Sequence, residues 1–257
     1  MHFPTTRDIQ TSPIRAISDG FLNIFYPEEC FICSLPVARR QDCGLCDDCW
    51  RKVIGLQIEG EICTSCGEPL PEFANKSGSL CLECIHHPPP YSGARSFGYY
   101  STEMRRTIHE LKFNGRRPLG QLLAPLLANV FSEFWQQNDF DFVTCVPLHP
   151  SRRRERGFNQ AELLGQALAQ TIGLPKLRTL RRTAATPSQV GLSDAQRIEN
   201  VRNVFSCTYI ERVVGKRILL IDDVMTTGAT VASASRTLVD AGAEKVSVLT
   251  VARVVRI

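Results

Sequence analysis

The chain has 257 residues, enough for one large or two smaller domains, and 43% of them are apolar, the share of a globular protein with a core of its own. No run of about 18 apolar residues occurs, which excludes a membrane-spanning helix. Asp8 and Asp19 interrupt the basic–apolar–small order of a secretion signal, so the cytoplasm is the expected compartment. The net charge of +4 conceals an asymmetry. Residues 28–90 carry ten acidic against five basic side chains, net −5, and residues 91–257 carry fourteen against twenty-three, net +9. The C-terminal part is therefore the one suited to a polyanion.

Residues 1–12 are polar. Residues 13–25 place Ile14, Ile17, Phe21, Leu22 and Phe25 at helical spacing, and Pro27 ends the run; together, residues 1–27 read as a tail and a packing helix. Residues 28–87 hold nine of the eleven cysteines, eight of them in C-x-x-C pairs. Cys30-x-x-Cys33 precedes Cys46-x-x-Cys49 by twelve residues, and Cys63-x-x-Cys66 precedes Cys81-x-x-Cys84 by fourteen. In a reducing compartment such spacing reads as metal binding, not as disulfides. Two C-x-x-C turns complete a tetrahedron of thiolates around zinc with no position open to water, so the role is structural. The segment is too short and polar to build a core alone, and metal binding would supply much of its folding free energy. Two separate zinc ribbons are expected. Gly67 after Cys66 suits a tight knuckle in the second. In the first, Ser34 stands in the glycine's place and Cys43 offers a competing thiolate, which leaves open a module that holds a single zinc. His86 and His87 read as linker residues.

Residues 88–93, Pro-Pro-Pro-Tyr-Ser-Gly, form a stiff boundary, and a second domain is expected over 94–257. It opens with a strand at 94–100. A helix at 101–114 follows, with Met104, Ile108 and Leu111 on one face, running out through Lys112 to Arg117. Next come a strongly apolar helix at 118–136 and a strand at 140–146. Pro147, Leu148 and His149 leave that strand's carboxyl end and lead to the basic run Arg152–Arg156 and a helix to about Ala169. A strand near 176–180 precedes a polar loop at 181–199, which contains Arg181 and Arg197; loops of that length in compact domains are functional or disordered. Strands at 204–209, 217–222 and 245–254 and a helix at 229–241 complete an alternation that implies a parallel α/β sheet. Cys145, Cys207, Trp50 and Trp135 read as core.

The most informative stretch is 218–231. Ile218 to Ile221 are a continuous apolar run, as in a strand buried on both faces. Asp222 and Asp223 then stand where open α/β sheets bind ligands. Thr226, Thr227, Gly228, Ala229 and Thr230 lead into a helix, so hydroxyls, a glycine backbone and free amides gather at a helix N-terminus that can take a phosphate. Two carboxylates would repel that phosphate and instead fit a ribose diol or a divalent cation. The ligand these features describe is a ribose 5-phosphate. The loop is not a Walker loop, since no Gly-Lys-Ser/Thr ends it.

Residues 218–231 resemble the phosphoribosyl pyrophosphate (PRPP) motif of type I phosphoribosyltransferases. With the doubled C-x-x-C module, Leu111–Leu119, Val146-Pro-Leu-His-Pro, Arg156-Gly-Phe-Asn-Gln-Ala and Arg181–Phe205, nearly all of 25–254 resembles the ComF family. The resemblance implies a parallel-sheet phosphoribosyltransferase fold behind a small double zinc ribbon, and an association with DNA uptake in natural transformation. It further implies that Asp222 and Asp223 hold the ribose hydroxyls, that Thr226–Thr230 hold the 5′-phosphate, and that Pro147, Leu148 and His149 approach the pyrophosphate. Lys112 and Arg152–Arg156 are the nearest candidate cations for that leaving group, with Mg²⁺, while Arg181 and Arg197 belong to a loop that closes over the site. The acceptor is not legible. Three readings stand together: a Mg²⁺-dependent transferase, a non-catalytic PRPP sensor, and a factor handling single-stranded DNA or contacting DNA-uptake proteins.

Overall fold

The computed structural model describes residues 28–37, 43–71, 79–183 and 204–255. The expected helix at 13–25, Arg197 and most of the 181–199 loop lie outside the described residues. The chain divides into two compact units between Gly55 and Leu56. The first four-cysteine group lies in the first unit; the second group, the proline spacer and the sheet lie in the second.

The first unit is built around two turns and a helix. Glu29 bridges to Pro36 in antiparallel fashion, and the Cys30 and Val37 amides donate to Leu35 and Glu28. Helix α1 (Asp47–Ile54) starts with Asp47 and Asp48 and ends with Arg51 and Lys52, the charge order that the helix dipole favours. Its N-cap is Cys46, whose Sγ accepts the Cys49 amide at 3.4 Å.

The second unit begins with the second cysteine knuckle and a short helix α2 (Leu82–His86). Strand β1 (Gly93–Tyr99) then enters the sheet, followed by α3 (Thr102–Phe113), α4 (Pro118–Phe134), β2 (Phe142–Cys145), α5 (Pro150–Arg156) and α6 (Gln160–Ile172). After them come β3 (Leu180–Arg182), β4 (Phe205–Cys207), β5 (Arg217–Met225), α7 (Ala229–Asp240) and β6 (Lys245–Arg253). The main sheet runs β1-β6-β5-β2 with every pair parallel. Ile218, Leu219, Leu220 and Ile221 are each fully buried at its centre. Ile218 and Leu220 join one apolar cluster with Val231, Ala234 and Leu238 of α7, while Ile221 lies against Gly165 of α6. Both faces are covered, which is why this strand reads as unbroken hydrophobicity.

Two expected strands behave differently from the sequence pattern. Residues 175–177 only brush the outer edge of β2, through Val143–Pro175 and Leu177–Val143 hydrogen bonds. Residues 180–182 instead pair antiparallel with 205–207, forming a separate two-stranded ribbon. Strand β5 is also longer than expected, running through the acidic pair to Met225.

Candidate functional site

The metal centres are the simpler of the two sites. The sulfurs of Cys30, Cys33, Cys46 and Cys49, and those of Cys63, Cys66, Cys81 and Cys84, form two groups whose members all lie within 4.8 Å of one another. The Cys33–Cys46 and Cys66–Cys81 sulfurs are 3.7 and 3.6 Å apart. Four thiolates at the usual zinc–sulfur length of about 2.3 Å sit about 3.8 Å apart, whereas a disulfide needs about 2.05 Å. The residues therefore fit zinc. Cys43 is buried but belongs to neither group, and neither do His86 and His87. Burial opposes ionisation of Cys63, yet the amides of Cys66 and Cys81 outweigh it and bring that thiol down to about 7. Burial pushes Cys66 up to about 11. Cys63 is thus prepared as an anion, whereas burial holds Cys66 and Cys84 as thiols until the metal's charge is present.

The two knuckles share a turn. Ser34 N donates to Cys30 O at 2.7 Å and Gly67 N to Cys63 O at 2.8 Å, and both turns place this residue in the left-handed region, at φ 60° and 73°. Gly67 is required for a second reason: a Cβ there would stand 2.4 Å from Ala94 O. The second knuckle is tied to the sheet. Ala94 N donates to Ser65 O at 2.7 Å, Arg95 Nη1 to Thr64 O at 3.1 Å, and the buried Arg253 to Cys66 O and to the Glu68 carboxylate.

The second site forms where β2 stops and β5 does not. Pairing of β2 with β5 ends at Cys145–Ile221, and β5 continues past it through Asp222 and Asp223. That is the carboxyl end of the strands, where open α/β sheets take their ligands. Asp223 is buried and forms an ion pair with Lys112, whose Nζ lies 2.8 Å from Asp223 Oδ1. Lys112 comes from the last turn of α3. Asp222 accepts the Asp223 amide at 2.9 Å. It is half-buried by surface exposure yet closely surrounded by protein; that burial, and then the charge of Asp223, push its carboxyl up to about 7, with Lys112 and Arg182 acting in the opposite sense. Arg156 is half-buried nearby; burial lowers its pKa, and the charge of Asp223 partly offsets this.

Beyond Met225 the chain turns through Thr226 and Thr227 into Gly228, the N-cap of α7 at φ 79°. The positive φ calls for glycine at 228, where a Cβ would also press on the movable end of Met225, 3.0 Å from Cε. The N-cap residue has no side chain to offer this helix; the Ala229 amide is met by Thr227 Oγ1 at 3.3 Å. Thr226, Thr227, Ala229 and Thr230 are all partly exposed around that N-terminus.

Pro147, Leu148 and His149 leave the carboxyl end of β2 and are partly exposed. His149 is the N-cap of α5: its Nδ1 accepts the Ser151 amide at 3.3 Å and lies 2.7 Å from Ser151 Oγ. The sequence reading passed over Asn159. It is buried, its Oδ1 caps α6 by accepting the Ala161 amide at 3.1 Å, and its Nδ2 donates to Val146 O at 3.0 Å, closing the loop on itself. The signal was present: an asparagine immediately before an apolar helical run.

A parallel sheet with an acidic pair and a glycine-capped helix N-terminus at its carboxyl edge, preceded by two four-cysteine groups, defines a type I phosphoribosyltransferase fold carrying a double zinc ribbon. Residues 21–86 match the double zinc ribbon domain family. DNA utilization protein YhgH of Salmonella typhi is 33% identical over 86% of this chain and 95% of its own, and that of Escherichia coli K12 is 31% identical over the same shares. Competence protein F of Haemophilus influenzae is 29% identical over 89% of this chain and 98% of its own. The chain belongs to the ComF family. Among solved structures, the glutamine PRPP amidotransferase of B. subtilis in complex with ADP and GMP is similar at a TM-score of 0.36 and 25% identity, over 52% of this chain and 26% of that one. Among the described residues, no helix is long and apolar enough to cross a membrane.

Proposed function

We propose that residues 94–257 bind PRPP and transfer its phosphoribosyl group to an acceptor, with release of pyrophosphate, in the service of DNA uptake. The observation that carries this reading is the continuous run from Asp222 to Thr230. It sets two carboxylates, Asp222 partly exposed and Asp223 buried, at the carboxyl end of a strand, a few residues before a glycine-capped helix N-terminus. The carboxylates suit the ribose diol, and the amides and hydroxyls of Thr226–Thr230 suit the 5′-phosphate. Lys112, already 2.8 Å from Asp223, brings positive charge to the ribose and can follow negative charge as it builds on the leaving group. Pro147, Leu148 and His149 leave β2 at the same end of the sheet and would border the pyrophosphate. The donor set also fits Mg²⁺, because Asp222 and Asp223 together hold more negative charge than Lys112 balances. Bound Mg²⁺ would neutralise charge on the departing pyrophosphate.

The test is Asp223→Asn in the zinc-loaded full chain. PRPP affinity by calorimetry should fall at least tenfold while the thermal midpoint moves by only a few degrees, since the substitution deletes charge but little volume. Unchanged affinity would remove Asp223 from the site. A sensor without catalysis would bind PRPP equally well, and pyrophosphate release with pooled metabolites separates the two.

A further inference from the structure

A groove of about 1360 Å³ lies within the second compact unit, between the second cysteine knuckle and the outer face of α7. One end reaches the threonine turn, and the other reaches Asp240 and Ala241 at the opposite end of the helix. Helix α7 buries Val231, Ala234, Ser235 and Leu238, and gives the groove a different stripe: Ala232, Ser233, Arg236, Thr237 and Asp240. These residues follow the four-residue spacing of a single helix face, and most are small enough to let another chain approach. Leu70, Leu80 and Leu82 line the groove from the knuckle, and Ile210 lines it from the segment after β4. Leu82 is 75% exposed and Ile210 54%. Ile85, on the same short helix as Leu82, is exposed as well. One exposed aliphatic residue needs no explanation, but a set gathered along a groove marks a contact surface.

Size and charge select the occupant. Small-ligand sites usually measure about 300–1,000 Å³, and this groove is larger, as an element of another chain requires. Residues 56–90 hold five glutamates and one lysine. Of the charged groups that line the groove, Arg253 and Glu68 are paired with each other. Glu83 on the knuckle and Asp240 on α7 then stand on opposite walls, neither in an ion pair among the described residues, with Arg236 as the remaining cation. An acidic wall repels a nucleic-acid strand and attracts a basic chain. We infer that this groove is a docking site for a lysine- or arginine-rich amphipathic helix of a protein partner. The helix lies along α7 with its aliphatic residues against Leu80, Leu82 and Ile210 and its cations toward Glu83 and Asp240. From Ala232 to Ala241 the face runs about 14 Å at about 1.5 Å per residue, so a helix of about three turns spans it, with anchors at i, i+3, i+4 and i+7. The inference is independent of what the threonine turn holds.

The full zinc-loaded chain is titrated at fixed salt with a fluorescein-labelled peptide of about 14 leucines and lysines, whose leucines follow that helical spacing. A scrambled peptide of the same composition, and one with glutamate in place of lysine, are the controls. Leu82→Ser and Asp240→Lys alter exposed side chains on opposite walls, and a cation at the end of α7 suits the helix dipole. Affinity for the patterned basic peptide should fall about tenfold in each variant, as for loss of one anchor, while zinc content and PRPP affinity stay unchanged. No binding, equal binding of either control peptide, affinity indifferent to both substitutions, or displacement of the peptide by saturating PRPP would overturn the inference. Sedimentation of the chain alone tests a second copy as the occupant: a dimer that Leu82→Ser dissociates would overturn it too. A chain that binds the peptide but never PRPP would leave the groove standing and remove the transferase reading alone.

Discussion

At the residue scale, Asp222 and Asp223 are neighbours with different circumstances. Asp223 has a lysine partner, whereas Asp222 is crowded by protein and by its neighbour's charge, and its carboxyl rises to about 7. The sign follows. A raised folded-state pKa means that Asp222 costs no stability below the unfolded value, about 4, and costs progressively more as pH climbs toward 7. Ligand binding runs the other way, because hydroxyls and cations are held by the carboxylate. PRPP affinity should therefore increase as pH is raised from about 6 to about 8, and Asp222→Asn should bind weakly with a flatter profile; a wild-type profile as flat as the variant's would remove Asp222 from the contact. A second residue-scale case is Ser34. It holds φ 60° where the other knuckle has glycine, at a cost of about 1 kcal/mol, part of which glycine returns through its freer unfolded chain. Ser34→Gly should slow zinc loss from the first group under chelator challenge, and unaltered loss would show that the turn is not limiting.

At the element scale, the loop between β2 and α6 is where sequence and structure are most instructively compared. The helical and strand runs were legible because each had one period: Ile218–Ile221 is apolar throughout, and Met104, Ile108 and Leu111 recur on one face of α3 and are all buried. The loop at 147–159 was legible only as a resemblance, and its mechanics were not. The structure shows short-range capping, with His149 starting α5, Gly157 ending it at φ 74°, and Asn159 starting α6 while bonding back to Val146. The ribbon of β3 and β4 was less legible still, because its three-residue strands carry too few residues to display a period. That Asn159 fixes the loop is testable. Asn159→Ala removes a cap worth about 1 kcal/mol and leaves the Val146 carbonyl without its side-chain donor. The urea midpoint should fall accordingly and PRPP affinity with it, while Asn159→Ser, which keeps the cap alone, should recover stability more than affinity. Equal behaviour of the two variants would mean that the Val146 bond does not position the loop.

At the scale of the whole molecule, the two four-cysteine groups look equivalent in sequence and are not equivalent in structure. Both are paired C-x-x-C turns, and their local differences, Ser34 against Gly67 and spacers of twelve and fourteen residues, do not show which one is joined to the sheet. What distinguishes them is remote: Arg253, at the end of β6, reaches the second knuckle at Cys66, across 187 positions of sequence. No periodicity or motif scan pairs residues so far apart. A tetrathiolate zinc carries two net negative charges, and the buried Arg253, with Arg95 beside it on the Thr64 carbonyl, brings positive charge from two strands of the sheet to that centre. Arg253 is also the register partner of Met225, the last residue of β5 before the threonine turn. The second metal is thereby linked to the strand that carries the ligand site, whereas the first group belongs to the other compact unit. Two zinc ions per chain are expected by metal analysis. Cys81→Ser should lower amide exchange protection at the carboxyl ends of β5 and β6 and weaken PRPP binding, because losing the metal loosens the knuckle whose Cys66 carbonyl and Glu68 carboxylate hold Arg253 at the end of β6. Cys46→Ser should lose one zinc and leave protection of those strands unchanged. Equal effects of the two substitutions on β5 would show that the second knuckle is no more joined to the sheet than the first.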